Sequence, residues 1–296
     1  MQDTKEIIKQ FRAGEEFSGD IGQFISAGSP KPDLLKELRQ TLVDEDDETR
    51  ELIFQLIAEI GVAVDPLYEA GGRLIRDRSI LTILIDDGLS RKGISRNYCL
   101  NTLQYAVPPG LLNQYGDKLV ANLRSMPDPT LLLVIAKAKP RQAVDVIDGL
   151  MEDPRWSNSV EGQITSAALG NKKIEQEYVS RFLKESDPHK KAEYARYLGF
   201  IGTEAALKAL ASEMRTDLVI ENPGVTIRSV RIFIIDALSY NFPEKTFLWD
   251  NAIEDDEGYA RVERFCEETF GTTWDVERPP FLWIQGFPSE PPEEIE

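Results

Sequence analysis

The amino-acid sequence predicts an all-α fold, an α-α superhelix of about seven stacked helix pairs with an irregular C-terminal cap. Apolar residues recur at the spacing of helix turns, and residues that end helices recur about every 31 to 47 positions. Neither helix of a pair can bury its apolar face alone, so neighbouring pairs must cover it. The positions that end helices are Gly28, Gly61, Pro108, Pro140, Asn171, Gly202 and Pro243.

The clearest helix pair is predicted between residues 187 and 215. Asp187 can cap the first helix, because its carboxylate accepts hydrogen bonds from first-turn N–H groups, and Pro188 follows where a missing N–H costs nothing. Gly202 ends this helix, since glycine enters the left-handed conformation without a steric penalty. The apolar stripe of the helix consists of Tyr194, Tyr197, Leu198 and Ile201.

The second helix of this pair begins after Thr203, which can cap it in the same way. Its apolar stripe consists of Leu207, Leu210, Ala211 and Met214. Each helix needs the other, and the pair needs neighbours, which is the construction of a solenoid repeat.

The remaining helices follow from the same apolar periodicity. The first helices of the other pairs are predicted at residues 20–28, 48–61, 100–107, 131–139, 164–170 and 229–242. The second helices are predicted at residues 32–42, 79–89, 110–123, 141–151, 173–183 and 244–253. The longer intervals leave room for an extra helix at 66–76 and a loop at 216–226, and a last helix is predicted at 258–270. Strands have little support, because Asn222, Pro223 and Gly224 favour a turn.

The segments DPHKKAEYARYLGFIGTEAALKAL and DEDDETRELIFQLIAEIG resemble the short bacterial form of HEAT repeats. Both carry an acidic cap, and the first also has a second helix that opens on Ala-Leu. The resemblance covers residues 20–255 loosely and residues 44–61 and 187–215 well. It implies a superhelix of stacked helix pairs and says almost nothing about function. The signatures of ankyrin and tetratricopeptide repeats are not found in register.

The domain prediction assigns residues 1–271 to the solenoid, 272–287 to an aromatic capping segment and 288–296 to a disordered acidic tail. The capping segment cannot be one helix, because Pro279 and Pro280 interrupt it. We interpret it as a cover for the open end of the last helix pair. The alternative is a segment that occupies a groove or is itself recognised. Its large apolar residues are Trp274, Phe281, Leu282, Trp283, Ile284 and Phe287.

The charge balance predicts the class of partner. The net charge is −17, and residues 244–296 alone contribute −11 from 15 acidic and 4 basic side chains. This field repels phosphate backbones and attracts basic proteins, so we expect a basic protein partner and no nucleic acid. The longest strongly apolar run, residues 131–136, is too short to cross a bilayer, so no membrane association is expected. The charged amino terminus lacks a secretion signal, which makes the cytoplasm the expected location.

The residues that usually carry catalysis or bind metals are scarce. The single histidine, His189, is expected at the surface, and Cys99 and Cys266 are expected to be buried free thiols. Neither a P-loop nor a G-x-G-x-x-G motif occurs. We therefore expect no enzyme, no catalytic residue, no metal and no cofactor. The acidic clusters at 44–48 and 254–257 are interpreted as helix caps, with an electronegative docking surface as the alternative.

The candidate binding residues lie on the second helices, which usually line the concave face of such superhelices. Trp249 combines a large contact area with a position next to Asp250, although burial in the core is the competing interpretation. Gln176, Ser180 and Ser212 lie on the same face. The predicted protein-binding residues are Asp145, Asp148, Arg181, Lys208, Trp249 and Asp250.

The sequence favours a non-enzymatic protein-binding scaffold, most concretely an acidic inhibitor of a basic protein, of the immunity type. One alternative is enzymatic, because some HEAT-like proteins excise damaged DNA bases or attach bilin chromophores. Another alternative is an assembly adaptor that joins two subunits.

The predicted core positions can be tested by truncation. We expect Leu198→Ala or Leu210→Ala to reduce the free energy of unfolding by about 2–5 kcal/mol, because each removes buried methyl groups and leaves a cavity. Chemical denaturation measures this change. An unchanged stability in both variants would show that these leucines lie outside the core.

Overall fold

The computed structural model describes residues 4–222, 226–249, 256–279 and 283–285. The described residues are mostly helical, with sixteen α-helices and two small antiparallel sheets, which confirms the all-α prediction. The packing divides into two compact units, Met1–Leu169 and Gly170–Glu296. The arrangement of seven pairs in one superhelix and the domain limits at residues 271 and 287 stay predictions.

The first unit contains eleven helices. Their bounds are α1 Thr4–Arg12, α2 Pro32–Thr41, α3 Asp47–Ala63, α4 Arg78–Asp86, α5 Ile94–Ala106, α6 Pro109–Gln114, α7 Gly116–Ser125, α8 Pro129–Ala138, α9 Val144–Met151, α10 Pro154–Ser157 and α11 Val160–Ala168. Helices α3, α5, α8 and α11 pack against one another in series, and α4, α7 and α9 pack against members of this series. The predicted pairing of a first helix with the helix that follows it is found for α3 with α4. By contrast, α5, α8 and α11 pack mainly within the series and against a helix that precedes each of them, α4, α7 and α9 respectively.

The second unit contains five helices and a three-stranded sheet. Their bounds are α12 Lys172–Lys184, α13 Pro188–Ile201, α14 Glu204–Ser212, β3 Val219–Asn222, β4 Thr226–Ser229, α15 Val230–Ser239, α16 Asp256–Phe270 and β5 Trp283–Gln285. Helix α13 packs against α12, α14 and α15, and is the central helix of the unit.

The predicted caps of α13 and α14 are confirmed. The Asp187 side chain accepts a hydrogen bond from the backbone N–H of Lys190 at 3.0 Å, and this bond lowers the pKa of Asp187. Gly202 has φ 53° and ψ 30°, the left-handed conformation that ends α13. Thr203 accepts a hydrogen bond from the backbone N–H of Ala206 at 3.3 Å. Leu198 and Leu210 are fully buried, as the stripes predict.

The helix predicted at residues 20–28 is wrong. The chain forms a 3₁₀ turn, Ile21–Phe24, and then a short hairpin of β1 Ile25–Ser26 and β2 Ser29–Pro30. Asp20 accepts a hydrogen bond from Gly22 N at 2.8 Å, which starts the 3₁₀ turn. Ala27 and Gly28 both have positive φ, the geometry that two-residue hairpin turns require.

The extra helix predicted at residues 66–76 does not form. Asp65 accepts a hydrogen bond from Leu67 N at 2.9 Å, which favours a turn, and consecutive turns continue to Gly71. Residues 72–77 then have no regular structure, and Ile75 N donates to the carbonyl of Ala106 at 2.8 Å, at the end of α5. The helix predicted at 244–253 is also wrong in its described part, where only a 3₁₀ turn, Thr246–Leu248, forms.

The loop predicted at residues 216–226 contains a strand instead. Strand β3 pairs antiparallel with β4, and β4 pairs with β5 from the C-terminal segment. The β-branched residues of this stretch therefore have partners for their backbone groups. The turn predicted at Pro223 and Gly224 lies outside the described residues.

The described part of the C-terminal segment is held to the second unit by polar contacts. The Trp274 indole donates to the carbonyl of Ser212 at 3.1 Å, and the Arg215 guanidinium lies 4.9 Å from the Trp274 ring. The buried Glu263 carboxylate accepts hydrogen bonds from Arg215 at 2.8 Å and from Arg278 at 2.9 Å. Two guanidinium groups thus compensate the cost of burying this carboxylate. Phe281, Leu282, Phe287 and residues 288–296 lie outside the described residues.

A close approach fixes the crossing of α13 and α15. A Cβ atom added at Gly199 would lie 2.8 Å from the Cβ of Ala237 and 3.0 Å from its Cα. By contrast, a Cβ added at Gly149, on the exposed side of α9, would meet nothing within 4 Å. The two helical glycines therefore have different roles.

These two glycines supply a matched pair of variants. Gly149→Ala should stabilise the protein by about 0.5–1 kcal/mol, because alanine is the better helix former. Gly199→Ala should destabilise it by about 1–3 kcal/mol in spite of that gain, because the helices must separate. Calorimetric melting measures both changes. A stabilising Gly199→Ala would contradict the tight crossing.

Lys137 is a buried lysine in α8. Pro108 follows the end of α5, so the last-turn carbonyls of α5 need partners outside their own helix. The Lys137 ammonium donates to one of them, the carbonyl of Gln104. Burial lowers the pKa of Lys137 to about 7, because the charged form loses its hydration.

The stability of the protein should therefore depend on pH through Lys137. Its folded pKa lies below the ordinary value of 10.5, so the unfolded chain binds more protons between pH 7 and 10.5, and stability must rise with pH in that window. Relative to Lys137→Met, the wild type should gain about 1 kcal/mol per pH unit from pH 7 upward. Parallel denaturation curves at several pH values measure the difference. A constant difference would contradict the depressed pKa.

Candidate protein-binding site

The predicted binding residues do not meet at one place. Asp145 and Asp148 lie one turn apart on α9 of the first unit, and both are exposed. Arg181 and Lys208 lie on α12 and α14 of the second unit, and both are exposed. Trp249 is half-buried after the 3₁₀ turn, and Asp250 lies outside the described residues. Four of the six side chains are thus exposed, and their role in protein binding stays a prediction.

Arg181 belongs to an aromatic face formed by α12 and α13. Its guanidinium pairs with Glu177 and lies 5.9 Å from the ring centre of Tyr178. Tyr178 makes edge-to-face contacts with Tyr194 and Tyr197 at 6.4 and 5.9 Å. Since Arg181 is already held by these contacts, it serves the packing of this face.

The single histidine and the two cysteines have the surroundings that the sequence predicts. His189 is exposed in the first turn of α13, and both cysteines are buried and free, as predicted. Burial raises the pKa of Cys99 well above its usual range and that of Cys266 to about 12, so both thiols stay protonated at neutral pH. Within the part of the chain that the structure describes, no group of three or more His, Cys, Asp or Glu residues could hold a metal ion.

The first acidic cluster has structural roles. Glu45 is buried and accepts a hydrogen bond from Arg12 at 2.6 Å. Asp46 caps α3 by accepting a hydrogen bond from Thr49 N at 2.7 Å, and this bond lowers the pKa of Asp46. Asp47 accepts a hydrogen bond from Ile94 N at 2.6 Å in the first turn of α5. The capping interpretation is therefore confirmed for Asp46 and Asp47. Of the second cluster, Asp256 and Glu257 occupy the first turn of α16.

The basic residues between positions 73 and 96 are mostly engaged inside the first unit. Arg73 pairs with Glu59 at 2.5 Å and Arg76 pairs with Asp65 at 2.7 Å. Arg96 is buried and donates to the backbone carbonyls of Leu89 and Met126. The positive charges of Arg73 and Arg76 are therefore neutralised by carboxylates of the same unit.

Three carboxylates of the same region have partners of their own. Asp77 caps α4 by accepting from Ser79 N at 2.8 Å, Asp86 pairs with Lys118 at 2.6 Å, and Asp87 pairs with Arg39 at 2.5 Å.

A cleft of about 190 Å³ opens between α1, the segment 13–24 and α3 of the first unit. We call it the α1–α3 cleft. Four residues of α3 at helical spacing form one wall: Leu52, Gln55, Leu56 and Glu59. Phe11, Glu16, Phe17 and Ile21 form the other. Its volume is below the range of about 300–1,000 Å³ typical of small-molecule sites, so it fits a single side chain.

The floor of the α1–α3 cleft is apolar. Phe11 and Leu56 are 2% exposed, so both belong to the core that joins α1 to α3. The Phe17 ring lies 5.4 Å from the buried Phe24 ring, which fixes the segment after α1 across the end of the cleft. A flexible aliphatic stem can therefore pack here against preformed walls.

Two carboxylates lie among the lining residues of the α1–α3 cleft. Glu16 is exposed and makes no ion pair among the described residues. The Glu59 side chain is 44% exposed and binds the Arg73 guanidinium through Oε1. Glu59 thus already has a guanidinium partner, and an incoming arginine or lysine would share its carboxylate with Arg73 or displace it.

Sequence reasoning missed Glu16, Phe17 and Glu59. The one available signal was the pair of glutamates beside phenylalanine in the glycine-flanked segment after α1, GEEFSG. The GEEFSG segment predicts an exposed loop. The contact of this segment with α3 depends on the packing of Phe17 against Phe24, and no local sequence pattern predicts that packing.

The chain matches no protein-family model, no curated protein and no solved structure. The resemblance to HEAT repeats stays a prediction, and the function is inferred from the residues of the chain alone. Among the helices of the described residues, none is long and apolar enough to cross a bilayer.

Proposed function

We propose that the chain is a non-enzymatic protein-binding scaffold whose α1–α3 cleft receives a lysine or arginine side chain of a basic partner. The observation that carries this proposal is the combination of apolar walls with Glu16 and Glu59 in one side-chain-sized cleft. The walls suit the methylene stem of such a side chain, and the carboxylates suit its charged end.

The charge of the protein supports the same partner. The net charge of −17 produces a field that speeds the approach of a basic protein. Asp145 and Asp148 add exposed negative charge on α9, and neither makes an ion pair within the described part of the chain. An acidic inhibitor of a basic protein, of the immunity type, is the most concrete form of the proposal. Two buried free thiols suit the reducing cytoplasm.

The alternative functions have less support. An enzyme that acts on DNA bases needs positive charge along its substrate groove, whereas several arginines between residues 73 and 96 are paired or bonded internally. A chromophore lyase has no observation of its own in its favour. An adaptor that joins two subunits would need a second binding surface of different character.

The test is affinity capture with the full chain followed by a double variant, Glu16→Gln with Glu59→Gln. Wild type should recover a basic protein at moderate salt, and the variant should weaken the measured affinity about tenfold or more. The fold should survive, because the exposed pair of Glu59 with Arg73 contributes only about 0–1 kcal/mol.

The matched control is Glu37→Gln with Glu69→Gln, which removes the same charge from exposed positions of the first unit outside the cleft. This control should slightly change the association rate of the basic partner and leave its dissociation rate unaltered. Equal losses of affinity in both double variants would show that the net charge of the protein, and not the cleft, determines binding. Capture that yields no basic protein would count against the function itself.

A further inference from the structure

The second unit contains a larger groove along α12, bordered by the start of α14. Its volume is about 440 Å³. We call it the α12–α14 groove. A single stripe of α12 lines it from Lys172 to Leu183, with Gln176, Val179 and Ser180 between them, and α14 contributes Ala205. Eleven residues of helix rise by about 17 Å, so the groove is about three helical turns long.

The floor of the α12–α14 groove is apolar and is not needed for the core. Helix α12 buries its other side, where Tyr178 is 3% exposed and Phe182 is fully buried. Leu183 is 42% exposed, and Val179 is half-buried beside it. Val179 and Leu183 thus form a small apolar patch beside the buried side of α12, and another apolar face can cover this patch.

The rim of the groove is positively charged, in contrast to the protein as a whole. Lys184 is exposed at the end of α12, and Lys208 follows Ala205 by one turn on the exposed face of α14. Neither lysine makes an ion pair among the residues that the structure describes. One acidic residue, Glu204, is also exposed there, in the first turn of α14, where it stabilises the N-terminal end of the helix.

The acidic lining residue of the groove is already neutralised. Glu175 is 2% exposed, binds Lys172 at 2.7 Å and accepts a hydrogen bond from the Thr203 hydroxyl. It therefore adds no attraction for a cation, and Lys184 and Lys208 together outweigh the single negative charge of the exposed Glu204 at the rim.

We propose that the α12–α14 groove binds an acidic amphipathic helix of a partner protein. The apolar residues of such a helix, at i, i+3 or i+4 and i+7, cover Val179, Leu183 and Ala205. Its acidic flanks reach Lys184 and Lys208. This partner is distinct from the basic partner of the α1–α3 cleft, so the chain would hold two proteins of opposite charge, as an adaptor does. The proposal rests on the groove alone and does not depend on the cleft.

The test uses defined peptides with the full-length protein. The probe is a fluorescent 14-residue helical peptide with leucines on one face and glutamates on its flanks. One comparison peptide replaces each glutamate by lysine, and another scrambles the acidic sequence. Fluorescence anisotropy should show binding of the acidic amphipathic peptide and about tenfold weaker binding, or none, of the other two.

Variants locate the binding. Leu183→Ser and the double variant Lys184→Glu with Lys208→Glu should each weaken the acidic peptide about tenfold or more, and all three side chains are exposed, so the fold should persist. The matched control is Lys190→Glu with Lys245→Glu, which reverses two exposed lysines of the same unit outside the groove. This control should bind the peptide within about twofold of wild type.

Three results would overturn the proposal. The first is equal binding of the acidic and basic peptides, and the second is a loss in the control as large as in the groove variants. The third is tighter binding to vesicles that contain phosphatidylserine than to the acidic peptide, with loss of the vesicle binding in Leu183→Ser. The groove would then recognise anionic lipid.

Discussion

The structure depends on covering the narrow apolar stripe of each helix with stripes of its neighbours. Leu198 loses all its solvent exposure because α13 lies against α12, α14 and α15, and Leu210 does so because α14 lies against α12, α13, α15 and α16. The closest of these contacts, Gly199 against Ala237, shows how little space separates the backbones. In the first unit the series α3, α5, α8 and α11 satisfies the same requirement. Side chains that point away from these contacts line the surfaces where a partner could bind, such as the α1–α3 cleft and the α12–α14 groove.

Local features of the fold could be predicted from the sequence. Asp187, Gly202 and Thr203 act on backbone groups within four residues of themselves, so their effect on α13 and α14 needs no knowledge of the rest of the chain. The same is true of the apolar spacing that identifies α16. Local patterns of this kind, capping residues and apolar spacing, determine where these helices begin and end.

Features that depend on distant partners could not be predicted. Strand β4 pairs with β5, whose residues follow it by more than fifty positions, and the intervening residues give no sign of this pairing. The hairpin of β1 and β2 depends on Ala27 taking a positive φ, which alanine rarely does. In residues 66–76 the hydrogen bond from Ile75 to the end of α5 competes with helix formation and holds the segment outside a helix.

The candidate sites divide in the same way. Exposure of Asp145, Asp148 and Lys208 follows from their places opposite the apolar stripes, and helical spacing alone gives it. The α1–α3 cleft requires two segments about forty residues apart to enclose one space, and Phe17 reaches that space only because Phe24 lies beneath it. Helical spacing puts Gln176, Val179 and Leu183 on one face of α12, but the solvent exposure of that face depends on how α14 packs beside it.

The early end of α5 has a consequence for how the chain can vary. The proline after it leaves acceptors at the helix end, and two separate parts of the chain supply the donors: the Lys137 ammonium for Gln104 and the Ile75 amide for Ala106. A residue at position 108 that let the helix run on would compete with both donors for the same oxygens. A substitution of Pro108 would therefore change the acceptors that Lys137 meets, whereas at position 75 every residue except proline supplies the same backbone donor.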